Sequence, residues 1–146
     1  NFEGKIAAWR VTPLNVSEKV VAFELVDEAR PRGMVLADGN YDVGKLYDHT
    51  LANGAMLFTP LPKNAGGGHR PQSAPRLLAA RMWAHGGAAL YKFRTTIERQ
   101  FSQQSSFGGG LGPLQAWVRT LPRVTRWVGT KLLIYHVRIS LERAAA

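Results

Sequence analysis

The apolar run Met34–Ala37, closed by Gly33 on one side and the Asp38-Gly39 pair on the other, most constrains the fold. A run this short between turn residues reads as a buried central strand, apolar on both faces. The neighbouring segments fit around it. Lys5–Thr12, with Ile6, Trp9 and Val11, is strand-like and stops at Pro13. Asn15 and Glu18 stand at capping-box spacing. They open a mostly buried helix through Val20, Val21, Phe23, Leu25 and Val26 that ends before Pro31. Asp42 can cap a helix to about Ala52, with Asn53-Gly54 as its stop. Ala55–Leu61 is a further strand before Pro62. The order strand, helix, strand, helix, strand predicts an α/β sheet with right-handed crossovers.

Downstream the pattern becomes helical. Asn64–Pro75 is rich in Gly and Pro and reads as a mobile loop. Residues 76–106 are mainly helical, with a break at Gly86-Gly87. Gly108–Pro113 is a second connector, and the chain is helical again from Leu114, kinked at Pro122. Leu90, Phe93, Ile97 and Phe101 form an apolar stripe at helical spacing, expected in the core. Trp117, Leu121, Val124 and Trp127 recur on one side of the last helical region, as core first and base-stacking platforms second. The chain is read as one domain in three parts: a sheet part at 1–62, a loop and helix at 63–107, and basic helices at 108–146.

Charge is divided unevenly. Residues 1–48 hold six Lys/Arg and eight Asp/Glu, a net of −2; residues 49–146 hold thirteen Lys/Arg against only Glu98 and Glu142, a net of +11. A half this basic favours a polyanion through counterion release, nucleic acid above all. The absence of cysteine excludes disulfides and thiolate metal sites, and permits a reducing cytoplasm. No apolar run approaches the roughly 18 residues of a membrane span. The start, NFEGKIAAWR, has neither an initiator Met nor the pattern of a signal peptide, which fits a fragment or a processed chain.

The chemistry candidates are few. Asp38 ends the buried strand, and open α/β sheets collect ligands at the carboxyl ends of their strands. A carboxylate there can hold Mg²⁺, although Asp-Gly is also an ordinary turn pair. Tyr91, Arg94 and Glu98, three and four residues apart, share one helix face. There Glu98 can ligate metal while Tyr91 and Arg94 meet phosphate oxygens; the plain alternative is an Arg94–Glu98 pair four apart. Arg119, Arg123 and Arg126 can line a DNA backbone or simply face solvent. His49, His69, His85 and His136 show no metal-ligand spacing, and no Walker loop, dinucleotide fingerprint or Gly-x-Ser-x-Gly occurs.

With these residues in view, the chain resembles the C-terminal part of the catalytic domain of bacterial insertion-sequence DDE transposases, in the group with a Tyr-Arg-Glu-Lys signature. Tyr91, Arg94 and Glu98 match that signature in identity and spacing, VLADGNYD at Val35–Asp42 looks like the strand of the second Asp, and the tail from Gly109 through WVRTLPRVTRWVGTKLLIYHVRI has the family's look. The signature Lys falls on Ser105 and is absent. The resemblance implies an incomplete RNase H-like α/β fold with a helical C-terminal region. It implies metal-dependent DNA cleavage and strand transfer at transposon ends, with Asp38 and Glu98 as catalytic metal ligands for Mg²⁺ or Mn²⁺. It implies Tyr91 and Arg94 positioning double-stranded DNA near the site, and a bacterial, nucleoid-associated protein that can act as a homodimer on DNA. Lys5–Thr12 then looks like the family's third strand, which puts the first Asp upstream of Asn1 and leaves the strand of Asp38 without its usual neighbours. The chain alone is therefore expected not to cleave DNA. Two other readings compete: a non-catalytic DNA-binding remnant or regulator of transposition, and an unrelated basic α/β protein that binds RNA.

Overall fold

Two parallel strands, β1 (Gly33–Leu36) and β2 (Ala55–Phe58), pair in the register Gly33↔Ala55 to Leu36↔Phe58. Ala37 N–H extends the ladder by donating to the Phe58 carbonyl at 3.1 Å. A parallel pair needs a crossover, and helix α2 (Gly44–Ala52) supplies it. This computed structural model describes residues 4–61, 72–106 and 110–145. Within them the chain is a mixed α/β protein, mostly helical, whose sheet has these two strands. It divides into two compact units, Ser17–Arg94 and the combination of Asn1–Val16 with Thr95–Ala146.

The first unit is built on β1 and β2. Helix α1 (Glu18–Ala29) contributes Ala22 and Val26 to its core, α2 contributes Leu46 and Tyr47, β2 contributes Leu57 and Phe58, and α3 (Ala74–Met82) contributes Ala79. Two buried hydroxyls satisfy each other where α2 meets the end of β2: Tyr47 and Thr59 are 2.7 Å apart. Burial raises the Tyr47 pKa, against a lowering by the Thr59 hydrogen bond. The winding then loosens over Trp83–Gly87, where His85 and Gly86 leave helical geometry (Gly86 φ 106°), before α4 (Ala88–Tyr91) and one tight turn, Lys92–Arg94. Gly87 is required by space: a Cβ there would overlap the Phe58 ring.

The second unit contains α5 (Thr95–Ser106) and α6 (Leu121–Ala144). Among its described residues the buried side chains are few: Gln104, Val118, Leu132 and Tyr135. The N-terminal segment lies along α6, with Ile6 N–H donating to His136 Nε2 at 2.9 Å. The Trp9 ring lies 3.2 Å from where a Cβ of Gly129 would be.

Several expectations are corrected. Lys5–Thr12 forms no strand; the Ile6 N–H donates to the His136 side chain of α6 rather than to a strand partner. Helix α1 begins after Ser17 rather than at Asn15, and only one stripe of it is buried; Val20 is exposed. Met34–Leu36 are half-buried, because a two-stranded sheet has no central strand. Asp42 does not cap α2, whose N-cap is Val43. Pro122 starts α6 instead of kinking it, since the first turn has no use for the missing N–H. Leu114–Thr120 precede that helix without being helical. The break at Gly86-Gly87 and the stop at Asn53-Gly54 (Gly54 φ 86°) stand as read. The connector reading at Asn64–Pro75 falls mostly outside the described residues, and its last two residues, Ala74 and Pro75, already belong to α3; within Gly108–Pro113, the described Gly110–Pro113 carry no regular element, as read.

The apolar stripe is also corrected. Leu90 and Phe93 are exposed, Phe93 by 55%. Ile97 and Phe101 are exposed as well, lining an apolar cleft of about 320 Å³ with Ile6, Trp9, Val128 and Leu132. Helical spacing shows which residues share a face, but not whether anything covers it.

Candidate functional site

Asp38 stands just past the carboxyl end of β1. Its Oδ1 accepts the Asn40 N–H at 2.8 Å and so caps the short turn Gly39–Tyr41. The turn role of Asp-Gly is thus real, and it leaves the second oxygen to other work. Oδ2 lies 3.8 Å from Nη2 of Arg94, with the two side chains 38% and 29% exposed. Arg94 also lies over the Tyr91 ring, 5.9 Å from its centroid. Two motifs far apart in sequence, VLADGNYD and Tyr91–Arg94, therefore meet within the Ser17–Arg94 unit.

A relay of aromatic rings holds this arrangement. The fully buried Phe58 lies 5.2 Å from Trp83, and Trp83 lies 5.3 Å from Tyr91, edge to face. Such pairs add about 0.5–1.5 kcal/mol each beyond burial. Tyr91 is thereby referred to the sheet itself, through Trp83. Trp83 is a site residue that spacing could not single out, because its partners lie 25 residues before it and eight after.

A second clamp fixes the loop on the other side of Asp38. Asp42 receives Arg76 in a two-pronged pair, Nε to Oδ1 and Nη2 to Oδ2, each at 2.7 Å, with the Asp42 side chain only 6% and that of Arg76 13% exposed. The Asp42 hydrogen bond raises the Arg76 pKa further, so this cation is permanent. Gln72 completes the Arg76 environment by accepting from Nη1. Near Asp38, the Tyr41 hydroxyl points to Glu18 Oε2 at 3.5 Å. Its pKa is raised by burial, then by the charges of Glu18 and Asp38.

The remaining candidates belong to the other unit. Glu98 is exposed in the first turn of α5. Arg119 and Arg123 are exposed and donate to the carbonyls of Ala116 and Trp117, the latter at 3.0 Å. Arg126 is exposed on α6. No three His, Asp or Glu side chains among the described residues converge as a cation site would require. The described residues also include no helix long and apolar enough to cross a membrane.

No protein-family model matches the chain, and neither a curated protein nor a solved structure matches it.

Proposed function

We propose that this chain is part of the RNase H-like catalytic region of a bacterial DDE transposase, a protein that cleaves DNA and transfers strands at transposon ends. The observation that carries the reading is the meeting of Asp38, Arg94 and Tyr91 at the carboxyl edge of a parallel strand pair. The two motifs that the resemblance assigns to one site are thus brought together, as that reading requires. Arg94 is fit for phosphate: its planar guanidinium, which lies 3.8 Å from the Asp38 carboxylate, can take phosphate oxygens two at a time. Tyr91 backs it from beneath.

Asp38 and Glu98 are the acids this reading assigns to Mg²⁺ or Mn²⁺, and their oxygens suit a hard cation. Such an ion, when bound, would activate the attacking oxygen of an in-line displacement. The described residues do not assemble a third donor, so no cleavage step is assigned to this chain alone. A second reading is a non-catalytic DNA-binding remnant or regulator of transposition, which needs the basic surface and no metal.

The test is binding and nicking of duplex DNA by the purified chain. Salt-sensitive duplex binding, weakened by Arg94→Ala and Tyr91→Ala and without nicking in Mg²⁺ or Mn²⁺, is expected. Metal-dependent nicking lost in Glu98→Gln would overturn the two-acid limitation. Full tolerance of changes at Tyr91 and Arg94, with RNA preferred to duplex DNA, would overturn the transposase reading itself. Binding that survives Asp38→Ala with Glu98→Ala, in a protein that also binds no Mn²⁺, would select the regulator.

A further inference from the structure

Trp117 is 60% exposed, although an indole is among the side chains with most to gain from burial. The cause is local. Val118, 2% exposed, is the buried anchor of the segment that leads into α6. A turn closed by Val118 N–H on the Gln115 carbonyl, at 2.9 Å, fixes the backbone before it. With Val118 facing in, its neighbours Trp117 and Arg119 face out, and both are exposed.

The surroundings of the indole are cationic. Arg119 folds back on the Ala116 carbonyl, and Arg123 reaches from the first turn of α6 to the carbonyl of Trp117 itself. No acid occurs anywhere between Glu98 and Glu142. A protein partner's apolar patch would need no such charge, whereas an aromatic face among fixed cations suits a base flanked by phosphates.

We propose that Trp117 is a stacking platform for an unpaired base of DNA, with Arg119 and Arg123 taking the phosphates on either side. This rests on the DNA-binding reading above and adds a preference to it. Stacking needs an open base face, which a single strand offers and a duplex hides. The arginines are already tethered to the peptide that carries the ring, so a strand meets them in place.

The experiment compares the full chain with Trp117→Ala and Trp117→Phe, using a labelled oligothymidylate and a labelled duplex at one salt concentration. Trp117→Ala is expected to bind the oligothymidylate about 5- to 100-fold more weakly. Its salt dependence and its duplex affinity should stay unchanged, and Trp117→Phe should keep most of the single-strand affinity. Duplex binding with an undiminished single-strand affinity in Trp117→Ala would overturn the platform and leave the DNA reading standing. Failure of the parent chain to bind either probe would overturn both.

Discussion

Asp42 and Arg76 hold each other through both carboxylate oxygens in a nearly dry setting. Removing one partner strands the other charge, so Asp42→Ala should lower stability by about 3–5 kcal/mol, read as a drop in the urea midpoint. Asp42→Leu combined with Arg76→Met should recover most of that loss, since a buried pair is often replaceable by apolar side chains of similar volume. Gly87 is a second sensitive position. Gly87→Ala drives a methyl into a ring that cannot retreat, because Phe58 is fully buried, and should cost about 1–3 kcal/mol in the same measurement. Arg30 offers the opposite case: it ends α1 with φ 44°, a left-handed conformation that suits glycine. Arg30→Gly should therefore be neutral or stabilising by up to about 1 kcal/mol. The sequence displays the residue types at these positions but not their partners. Asp42 reads as a cap for the next helix because spacing reveals only neighbours, and Arg76 stands 34 residues away. Asp38 and Arg94 are legible as site residues for the same reason in reverse, since each sits in a recognisable local pattern. That they touch is not legible.

Helices and strands with strong punctuation are the readable ones. Helix α2 ends at Asn53-Gly54, the helical run of α3 breaks at Gly86, β2 falls inside its predicted apolar run, and β1 matches its own to within a residue at each end. Lys5–Thr12 departs from its expected strand because strand-like composition says nothing about the partner a strand requires. Its Ile6 amide is satisfied by His136 instead. Truncating that acceptor, as His136→Ala, should raise hydrogen exchange at Ile6 and its neighbours while the β1–β2 ladder stays protected. Helix α6 shows the second limit of pattern reading. Leu132 and Tyr135 are buried on one side, while Leu133, Ile134, Val137 and Leu141 are exposed on the other. A helix apolar on both faces gives no periodicity from which its inner side can be chosen.

At the scale of the whole molecule, the charge asymmetry along the sequence is evened out between the two units. The Ser17–Arg94 unit holds ten Lys/Arg and seven Asp/Glu, a net of +3; the other unit holds nine and three, a net of +6. Duplex binding should therefore weaken steeply with salt. Replacing Arg119, Arg123 and Arg126 together by Ala should flatten the log–log salt slope by up to about 2.7, since each phosphate left without its arginine removes about 0.9. Asp38→Ala should leave that slope unchanged. The buried Tyr47 hydroxyl sets an alkaline limit. Its pKa is raised above the ordinary 10.0 in the folded state, so the unfolded chain loses that proton first and unfolding is favoured as pH climbs past 10. The Tyr47 contribution to stability should be constant below that pH and lost above it, alongside those of Tyr41 and Tyr135, whose pKa values burial also raises, and Tyr47→Phe should blunt the fall while losing the bond to Thr59. One last consequence concerns time. The Ser17–Arg94 unit is a single uninterrupted stretch, whereas the other unit joins the two ends of the chain, with Ile6 meeting His136 across 130 residues. During synthesis the contiguous unit can fold as soon as it emerges, but the N-terminal segment has no surface to dock on until α6 has been made. The N-terminal segment is thus among the last to find its native neighbours, and refolding should show a fast phase from the strand pair followed by a slower one reported by Trp9.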